Sequence, residues 1–239
     1  MPHLICITTF NEAETIGPLV RRFVRVGWSV CVSDGGSTDG TCAAALDAGA
    51  TVLIGNGKEG IGPCLMRAWR YALDNGYLGV VQIDAGGSHN PDDVLPIILA
   101  AANADIVIGS RFIKGAVYDN TNGVWSRPLL SRLAAKLMNF AQMGAHYSDW
   151  TSGYRYFSAE ALRKLLPKRY HTDMHTWQIE VLAHAGEMGF KIVEVPISYT
   201  AGRSSFNRKI AHEAVMTWLH VMHHIGWVGS RLSDEEHDV

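Results

Sequence analysis

The stretch Asp84-Ala85-Gly86-Gly87-Ser88-His89 carries the residue types best suited to chemistry in this chain. It follows the apolar run 78–83, a pattern that predicts a buried strand. Ligands of parallel α/β sheets bind beyond the carboxyl ends of the strands, where Asp84 could hold a metal or a sugar hydroxyl. The position at which a second acid would complete a divalent site is Gly86, which has no side-chain oxygen.

Two further loops follow predicted strands, at 9–12 and 34–41. An ionised Asp34 is an acceptor that can pair with the N–H edge of a nucleobase or with ribose hydroxyls. The glycines after it let the backbone approach a ligand closely. The same residues also suit a purely structural Ser/Asp capping turn, and the sequence leaves both roles open.

Cationic groups form a third set of candidates. The loop 58–62, Lys-Glu-Gly-Ile-Gly, precedes a predicted helix and could cradle a phosphate, although taken alone it is better explained as a simple turn. Arg111, Arg127 and the basic loop 203–209 would suit a diphosphate leaving group if they converge on one edge of the sheet. Each arginine alone is also explained as a solvated surface charge.

Alternating strand and helix patterns must position these groups. Apolar runs predict buried strands at 4–9, 30–33, 52–54, 80–83 and 106–108. Between them, Asn11 is placed to cap a helix, with Glu14 set for a capping box, and further helices are predicted at 39–48, 64–72 and 94–102. The second half predicts a helix over 126–145, a strand at 154–157, a helix near 177–186 and an extended segment over 192–199. The prediction is one α/β domain with a mostly parallel, Rossmann-like sheet covered by helices on both faces.

Composition narrows the functional classes. The chain has 239 residues, 47% of them hydrophobic, and a formal net charge of −2, which argues against a strongly basic nucleic-acid surface. No signal peptide or membrane span is predicted. Cys6 and Cys31 lie in apolar strand-like runs, so we expect buried thiols in a reduced, cytoplasmic protein.

The combination and order of these blocks closely resemble the family 2 glycosyltransferases, in particular the dolichol- or polyprenol-phosphate mannose synthase branch. The resemblance runs from about residue 5 to 209. The matching blocks lie at 9–12, 34–41, 58–62, 84–89, 109–112, 151–155, 178–180 and 194–197.

The resemblance implies a GT-A fold and an inverting transfer of a hexose from GDP-mannose or a UDP-sugar, with a polyprenyl phosphate as the expected acceptor. The catalytic domain is then expected over 1–209, and the residues of 210–239 predict a C-terminal helix and a polar tail packed on the same domain. Mg²⁺ or Mn²⁺ is the implied cofactor, and Asp84 is its implied ligand. The implied catalytic residues are Asp84, Arg111, Arg203 and Lys209. The implied donor-binding residues are Thr9, Glu12, Asp34, Asp39, Lys58, Gly60, Asp84, Ala85, Gly86, Ser88, Arg111 and Arg127.

Three departures from the family pattern stand out. Gly86 replaces the second acid of the Asp-x-Asp motif, so a metal could rest on Asp84 and the diphosphate, or arginines could replace it. Thr8 stands where the family usually has proline. Phe206 and Arg208 replace the glycine and serine of the family's Arg-x-x-Gly-x-Ser-Lys loop.

Several alternatives stay open. The acceptor could be a soluble metabolite, a glycan or a nucleic-acid base, or the chain could be an inert nucleotide-sugar-binding protein. Peripheral membrane contact and a homodimer are both compatible with the sequence. In the predicted helix 210–227, His220, His223 and His224 lie at helical-neighbour spacing, where packed or surface histidines and a metal site are the two interpretations.

Overall fold

A computed structural model of the chain describes residues 3–120, 126–141, 146–174, 176–201 and 219, and the side chains at 126, 127 and 141 fall outside this description. The strands are β1 (His3–Thr9), β2 (Ser29–Asp34), β3 (Thr51–Ile54), β4 (Gly79–Asp84), β5 (Ile106–Ser110), β6 (Val117–Asp119), β7 (Arg155–Ser158), β8 (Ile192–Pro196) and β9 (Ser198–Thr200). The α-helices are α1 (Ala13–Arg25), α2 (Thr41–Asp47), α3 (Ile61–Asp74), α4 (Val94–Ala101), α5 (Ser126–Ala141), α6 (Ala159–Leu165) and α7 (Trp177–Glu187).

The central sheet of the described residues has seven strands in the order β3-β2-β1-β4-β7-β5-β8. Neighbouring strands are parallel except that β7 runs antiparallel to both β4 and β5. The predicted α/β fold with a mostly parallel sheet is therefore confirmed.

Side chains alternate along β1 and divide the core into two layers. Leu4 and Cys6 pack with residues of α3, α6 and α7 on one face, while Ile5 and Ile7 pack with α1, α2 and α4 on the other. Both faces of the sheet are thus covered, as the continuous apolar runs predict. Burial raises the pKa of the Cys31 thiol to about 12, as expected for a cysteine that acts as a small core hydrophobe.

The start of α1 differs from the prediction, because the helix is capped from a neighbouring loop. Glu12, and not Asn11, occupies the cap position. Its N–H donates to the Thr41 hydroxyl over 2.8 Å, and the N–H of Ala13 donates to the Asp39 carboxylate over 3.2 Å. Asn11 instead adopts a left-handed backbone with a φ of 55°. A distant loop therefore satisfies donors that the local pattern assigned to Asn11.

Other boundaries also shift. β3 was predicted as a buried strand, but it is the edge of the sheet, and both of its end residues are exposed. The helix predicted over 126–145 is described only as α5, since 142–145 lie outside the described residues. The predicted helix 210–227 and its histidines also lie outside them, apart from Leu219. No helix in the described part of the chain is both long and apolar enough to cross a bilayer.

Candidate active site

The parallel register brings the three strand-end groups to one edge of the sheet. In the β1–β2 ladder Thr9 pairs with Asp34, and in the β1–β4 ladder Thr8 pairs with Asp84. Asp34 and Thr9 are buried, whereas the Asp84 side chain is 48% exposed. The Thr9 hydroxyl oxygen has no hydrogen-bond partner among the described residues. The edge therefore presents one open carboxylate beside a buried hydroxyl that a ligand could satisfy.

The loops after β1 and β2 are joined to each other. The Asn11 N–H donates to the Ser37 hydroxyl over 2.7 Å, and the Thr38 N–H donates back to the Asn11 amide oxygen over 3.0 Å. Asp34 accepts from the N–H groups of Gly36 and Ser37, over 2.9 and 2.7 Å. Asp34 therefore holds its own turn, and any role in ligand binding would be additional to that structural one.

Asp39 belongs to the same pair of loops. A hydrogen bond from the Thr41 hydroxyl is the main cause that lowers the pKa of the Asp39 carboxyl, and the Ala13 N–H adds to it. Asp39 is exposed, but its carboxylate oxygens already serve the first turns of α1 and α2.

A third loop, 55–60, lies against the turn after β2. Glu59 forms an ion pair of 2.5 Å with Arg67, which lowers the Glu59 pKa, and Arg67 also donates to the Asp34 carbonyl over 2.7 Å. A Cβ at Gly60 would overlap the Asp173 carbonyl oxygen, so this close approach requires glycine. Lys58 is exposed, with its ammonium 5.6 Å from the centre of the Phe10 ring.

Asp84 has two close neighbours, one from a distant segment of the chain and one from its own loop. A Cβ at Gly153 would lie only 2.9 Å from Asp84 Oδ2, so the carboxylate packs against a bare backbone. His89 Nδ1 lies 3.9 Å from the same oxygen. The His89 ring is buried between Tyr154 and Tyr199, at centroid distances of 5.1 and 5.3 Å, and burial lowers its pKa despite the nearby Asp84.

The segment after Asp84 pairs with β9. The N–H of Thr200 donates to the Ser88 carbonyl over 2.8 Å, and the N–H of Asn90 donates to the Ser198 carbonyl over 3.3 Å. β9 ends directly before the basic loop 203–209 of the sequence. The pairing therefore holds the chain that leads into that loop beside the Asp84 segment.

Arg111 follows β5 and is held by an aspartate that the sequence reasoning did not assign to the site. Its guanidinium donates twice to the Asp149 carboxylate, over 2.7 Å each, and once to the Thr151 hydroxyl over 2.6 Å. The Asp149 side chain is fully buried, and that of Arg111 is 11% exposed. Burial alone would lower the pKa of Arg111, but the Asp149 carboxylate outweighs it and raises that pKa. Burial would in turn raise the pKa of Asp149, but the Arg111 guanidinium outweighs it and lowers that pKa.

Asp149 is fixed in its turn by Glu194 of β8. The Glu194 carboxylate accepts the N–H groups of Ser148 and Asp149, over 2.9 and 3.0 Å. The ring of Tyr199 lies 5.1 Å from the Arg111 guanidinium carbon. Arg111 thus keeps a fixed orientation, because carboxylate and aromatic neighbours hold it on several sides.

The described residues do not form a metal site by themselves. They contain no group of three or more His, Cys, Asp or Glu side chains arranged to hold a cation. Asp84 supplies one carboxylate at the strand end. A Cβ built at Gly86 would have Glu12 Oε1 as its nearest atom, at 3.6 Å, so a second carboxylate lies near the position that glycine leaves empty.

The structure brings many of the predicted site residues together and leaves three outside its description. Those at the strand ends and their loops are Thr9, Glu12, Asp34, Asp39, Lys58, Gly60, Asp84, Ala85, Gly86, Ser88 and Arg111. The side chains of Arg127, Arg203 and Lys209 lie outside the described residues. Two supporting residues, Gly153 and His89, lie inside motifs already noted, and a third, Asp149, lies two residues before one of them, but only their contacts reveal what they do.

The fold is also found in a protein of known structure. It is similar to glucosyl-3-phosphoglycerate synthase from Mycobacterium tuberculosis, whose crystal structure contains Mn²⁺, UDP and phosphoglyceric acid. The TM-score is 0.70 at 18% identity, and the match covers 93% of this chain and 78% of that one. At this identity the likeness shows the fold alone, which is the GT-A fold of glycosyltransferases.

Sequence comparison then gives the family. Glycosyl transferase family 2 matches residues 4–166, and the chain belongs to that family. An undecaprenyl-phosphate mannosyltransferase of Micrococcus luteus is 33% identical over 224 residues, covering 89% of this chain and 90% of the relative. A polyprenol monophosphomannose synthase of Mycolicibacterium smegmatis is 33% identical over 206 residues, covering 82% of this chain and 77% of the relative. The expected resemblance to this branch is confirmed, and the chain is a glycosyltransferase.

Proposed function

We propose that this glycosyltransferase moves a hexose from GDP-mannose or a UDP-sugar to a polyprenyl phosphate. The observation that carries the proposal is the 33% identity to an undecaprenyl-phosphate mannosyltransferase over nearly the full length of both chains. The strand-end geometry supports it, because one edge of the sheet holds an open carboxylate, a buried hydroxyl without a partner among the described residues and an oriented arginine.

The proposed division of roles follows the sheet edge. The nucleoside would bind at the joined loops after β1 and β2, through Thr9, Glu12, Asp34 and Asp39. The ribose and diphosphate would lie over the Asp84 segment, with Lys58 and Gly60 nearby. The diphosphate and the acceptor phosphate would be held by Arg111, Arg127, Arg203 and Lys209.

The reaction needs charge placement more than proton transfer. An oxygen of the acceptor phosphate forms a bond to the anomeric carbon of the sugar while the bond to the nucleoside diphosphate breaks. The diphosphate leaves with the bonding electron pair, and the configuration at the sugar carbon inverts. The acceptor phosphate is already ionised at neutral pH, so no strong general base is required. Catalysis rests on positioning and on cations that face the leaving group.

In this scheme Arg111 is oriented before the substrate arrives. Its pairs with Asp149 and Thr151 use Nε and one terminal nitrogen, and the other terminal nitrogen, Nη1, makes no hydrogen bond among the described residues. An arginine already held by a buried carboxylate loses little side-chain entropy when it binds a phosphate oxygen. The pairing also reduces its net positive field, so further cations are expected to contribute.

A divalent cation, if it takes part, would neutralise the diphosphate with Asp84 as its protein ligand. Asp84 alone leaves most of the coordination shell to diphosphate oxygens and water. The domain limits 1–209 and 210–239, and peripheral contact with the membrane that contains the acceptor, are parts of the same proposal.

The test is a transfer assay on the purified full chain. The protein is incubated with labelled GDP-mannose, UDP-glucose or UDP-galactose and a detergent-dispersed polyprenyl phosphate, with and without EDTA. We expect lipid-linked sugar with one donor, and its loss in Asp84→Asn. Nucleotide binding without turnover on any donor and lipid phosphate would contradict the enzyme assignment and favour a nucleotide-sugar-binding protein. Transfer that EDTA leaves unchanged would show that the reaction proceeds without the metal.

A further inference from the structure

Helix α5 exposes the side chains that a surface helix normally buries. Among the described side chains of α5, the buried ones are the small or flexible Ala135 and Met138. Its large apolar side chains, which are between 39% and 75% exposed, form what we call the α5 stripe: Leu129, Leu130, Leu133, Leu137 and Phe140. A contiguous patch of exposed apolar side chains on a protein surface is often a site of interaction.

The α5 stripe is continuous along the helix. At about 100° of rotation per residue, its five members fall within an arc of about 100°. α1 shows the usual arrangement for comparison, because Ile16, Val20 and Phe23 on its inner face are buried and Val24 is its one large apolar side chain that is exposed, at 37%. The spacing of the α5 stripe is that of a core-facing helix, but it faces outward.

Charge decides what kind of surface the α5 stripe fits. The sequence of α5, SRPLLSRLAAKLMNFA, contains Arg127, Arg132 and Lys136 and no acid. Arg132 and Lys136 are exposed and lie along one border of the stripe in the helical projection. Two antiparallel copies of α5 would bring these cations together, which disfavours a second copy as the partner. An apolar face bordered by cations suits the headgroup region of an anionic bilayer.

The position of α5 connects this surface to the candidate active site. The Arg132 guanidinium carbon lies 5.1 Å from the centre of the Phe112 ring, and that of Arg111 lies at the same distance from the same ring. One aromatic side chain therefore separates α5 from the proposed phosphate-binding arginine. A polyprenyl phosphate keeps its tail in the membrane, so its phosphate must reach the enzyme at the bilayer surface.

We propose that the α5 stripe rests on the surface of an anionic phospholipid bilayer and places Arg111 beside the acceptor phosphate. The inference deepens the proposed function and rests on it for the identity of the acceptor. Contact with the bilayer is itself a physical property of α5 and can be measured without any transfer.

The experiment compares two matched pairs of exposed leucines in the full chain. The test variant is Leu129→Gln with Leu133→Gln. The control is Leu95→Gln with Leu99→Gln on α4, a pair with the same spacing and exposures of 55% and 67%. Each protein is sedimented with phosphatidylcholine vesicles, with and without phosphatidylglycerol, and is assayed for transfer to a vesicle-borne polyprenyl phosphate and to a short, water-soluble prenyl phosphate.

We expect the wild type to bind the anionic vesicles more tightly than the neutral ones. The α5 variant should lose at least about tenfold in vesicle partitioning, given the apolar area of two leucines, while the α4 control stays within about twofold. Transfer to the vesicle-borne acceptor should fall with partitioning, whereas transfer to the soluble acceptor and the thermal midpoint should not change.

Other results separate the two proposals. Equal partitioning of the wild type and the α5 variant overturns the bilayer contact and leaves the transfer reaction intact. A dimer in light scattering that the α5 variant disrupts also overturns it, since a second copy then covers the stripe. Loss of transfer to the soluble acceptor shows that the stripe supports the site itself, and this counts against the proposal. Partitioning that depends on α5 while no protein transfers sugar to either acceptor supports the membrane contact and overturns the proposed function.

Discussion

Restoring an acid at position 86 tests the metal question most directly. A Cβ at Gly86 meets nothing closer than Glu12 Oε1 at 3.6 Å, which is ordinary van der Waals contact. Gly86 is also absent from the glycines with a left-handed backbone. Gly86→Asp should therefore fold without steric strain, and its effect should be electrostatic.

The magnitude follows from the neighbouring carboxylates. The carboxylate introduced by Gly86→Asp would lie roughly 5 Å from that of Glu12, where two like charges repel by about 1 to 3 kcal/mol at effective dielectric constants of about 80 to 20. The segment after Asp84 is open to solvent, so the repulsion should be near the lower value. The free energy of unfolding of Gly86→Asp in EDTA should therefore fall by about 1 kcal/mol. Mn²⁺ at about one hundred times its Kd should then add about 2.7 kcal/mol. For a chain of this size that is about 5 to 10 °C in Tm.

The assay is thermal unfolding in EDTA and in a series of Mn²⁺ concentrations, with Mn²⁺ binding followed independently by electron paramagnetic resonance. Gly86→Asn is the matched control, because the asparagine side chain has the shape of aspartate without its charge. Adding Glu12→Gln to Gly86→Asp should recover the stability lost in EDTA, since it removes the repulsion. If Mn²⁺ shifts the Tm of Gly86→Asp no more than that of Gly86→Asn, the metal does not bind at this position and the reasoning is wrong.

Three further substitutions probe the site. Asp149→Asn should lower the free energy of unfolding by about 3 kcal/mol, because it leaves the buried Arg111 charge without its partner. The pKa of Asp149 is lowered in the fold, so this difference should be complete above the ordinary carboxyl pKa of about 4 and should shrink as the pH falls through the folded value. Gly60→Ala should cost about 1 to 3 kcal/mol in urea unfolding, because its methyl group overlaps the Asp173 carbonyl oxygen. Thr9→Val should keep or raise the Tm, because it removes a buried hydroxyl that has no partner among the described residues, while GDP or UDP affinity in calorimetry falls about tenfold.

Each of these predictions has a control or a result that would contradict it. For the aspartate, urea unfolding at several pH values should show a difference from wild type that narrows toward about pH 3, and a constant difference would argue against the ion pair. Gly86→Ala, which meets no close atom, should stay within about 0.5 kcal/mol of wild type and so calibrates the Gly60 result. An unchanged nucleotide Kd in Thr9→Val would remove Thr9 from the donor site.

The sequence predicts the sheet and its functional edge well because both depend on local patterns. Continuous apolar runs identified β1, β2, β4 and β5, since strands buried on both faces tolerate few polar residues. Each apolar run is followed by polar residues at the carboxyl end of its strand. The positions of Asp34 and Asp84 at one edge then follow from the parallel arrangement.

What the sequence could not predict depends on contacts between distant segments. The cap of α1 comes from Thr41 and Asp39, so the local capping signal at Asn11 was misleading. β3 was expected to be buried, but its place at the sheet edge is a property of strand order and not of its own four residues. The pairing of Arg111 with Asp149 joins groups 38 positions apart. No spacing rule connects them.

The antiparallel strand β7 explains why these distant contacts converge. β7 lies between β4, which ends at Asp84, and β5, which ends directly before Arg111. The segment that leads into it therefore passes both groups, with Gly153 against the Asp84 carboxylate and Asp149 against the Arg111 guanidinium. A parallel strand in this place would enter from the opposite end of the sheet and would leave both groups without these supports. The single reversal of strand direction thus connects the acid and the arginine of the proposed site through five consecutive residues, 149–153.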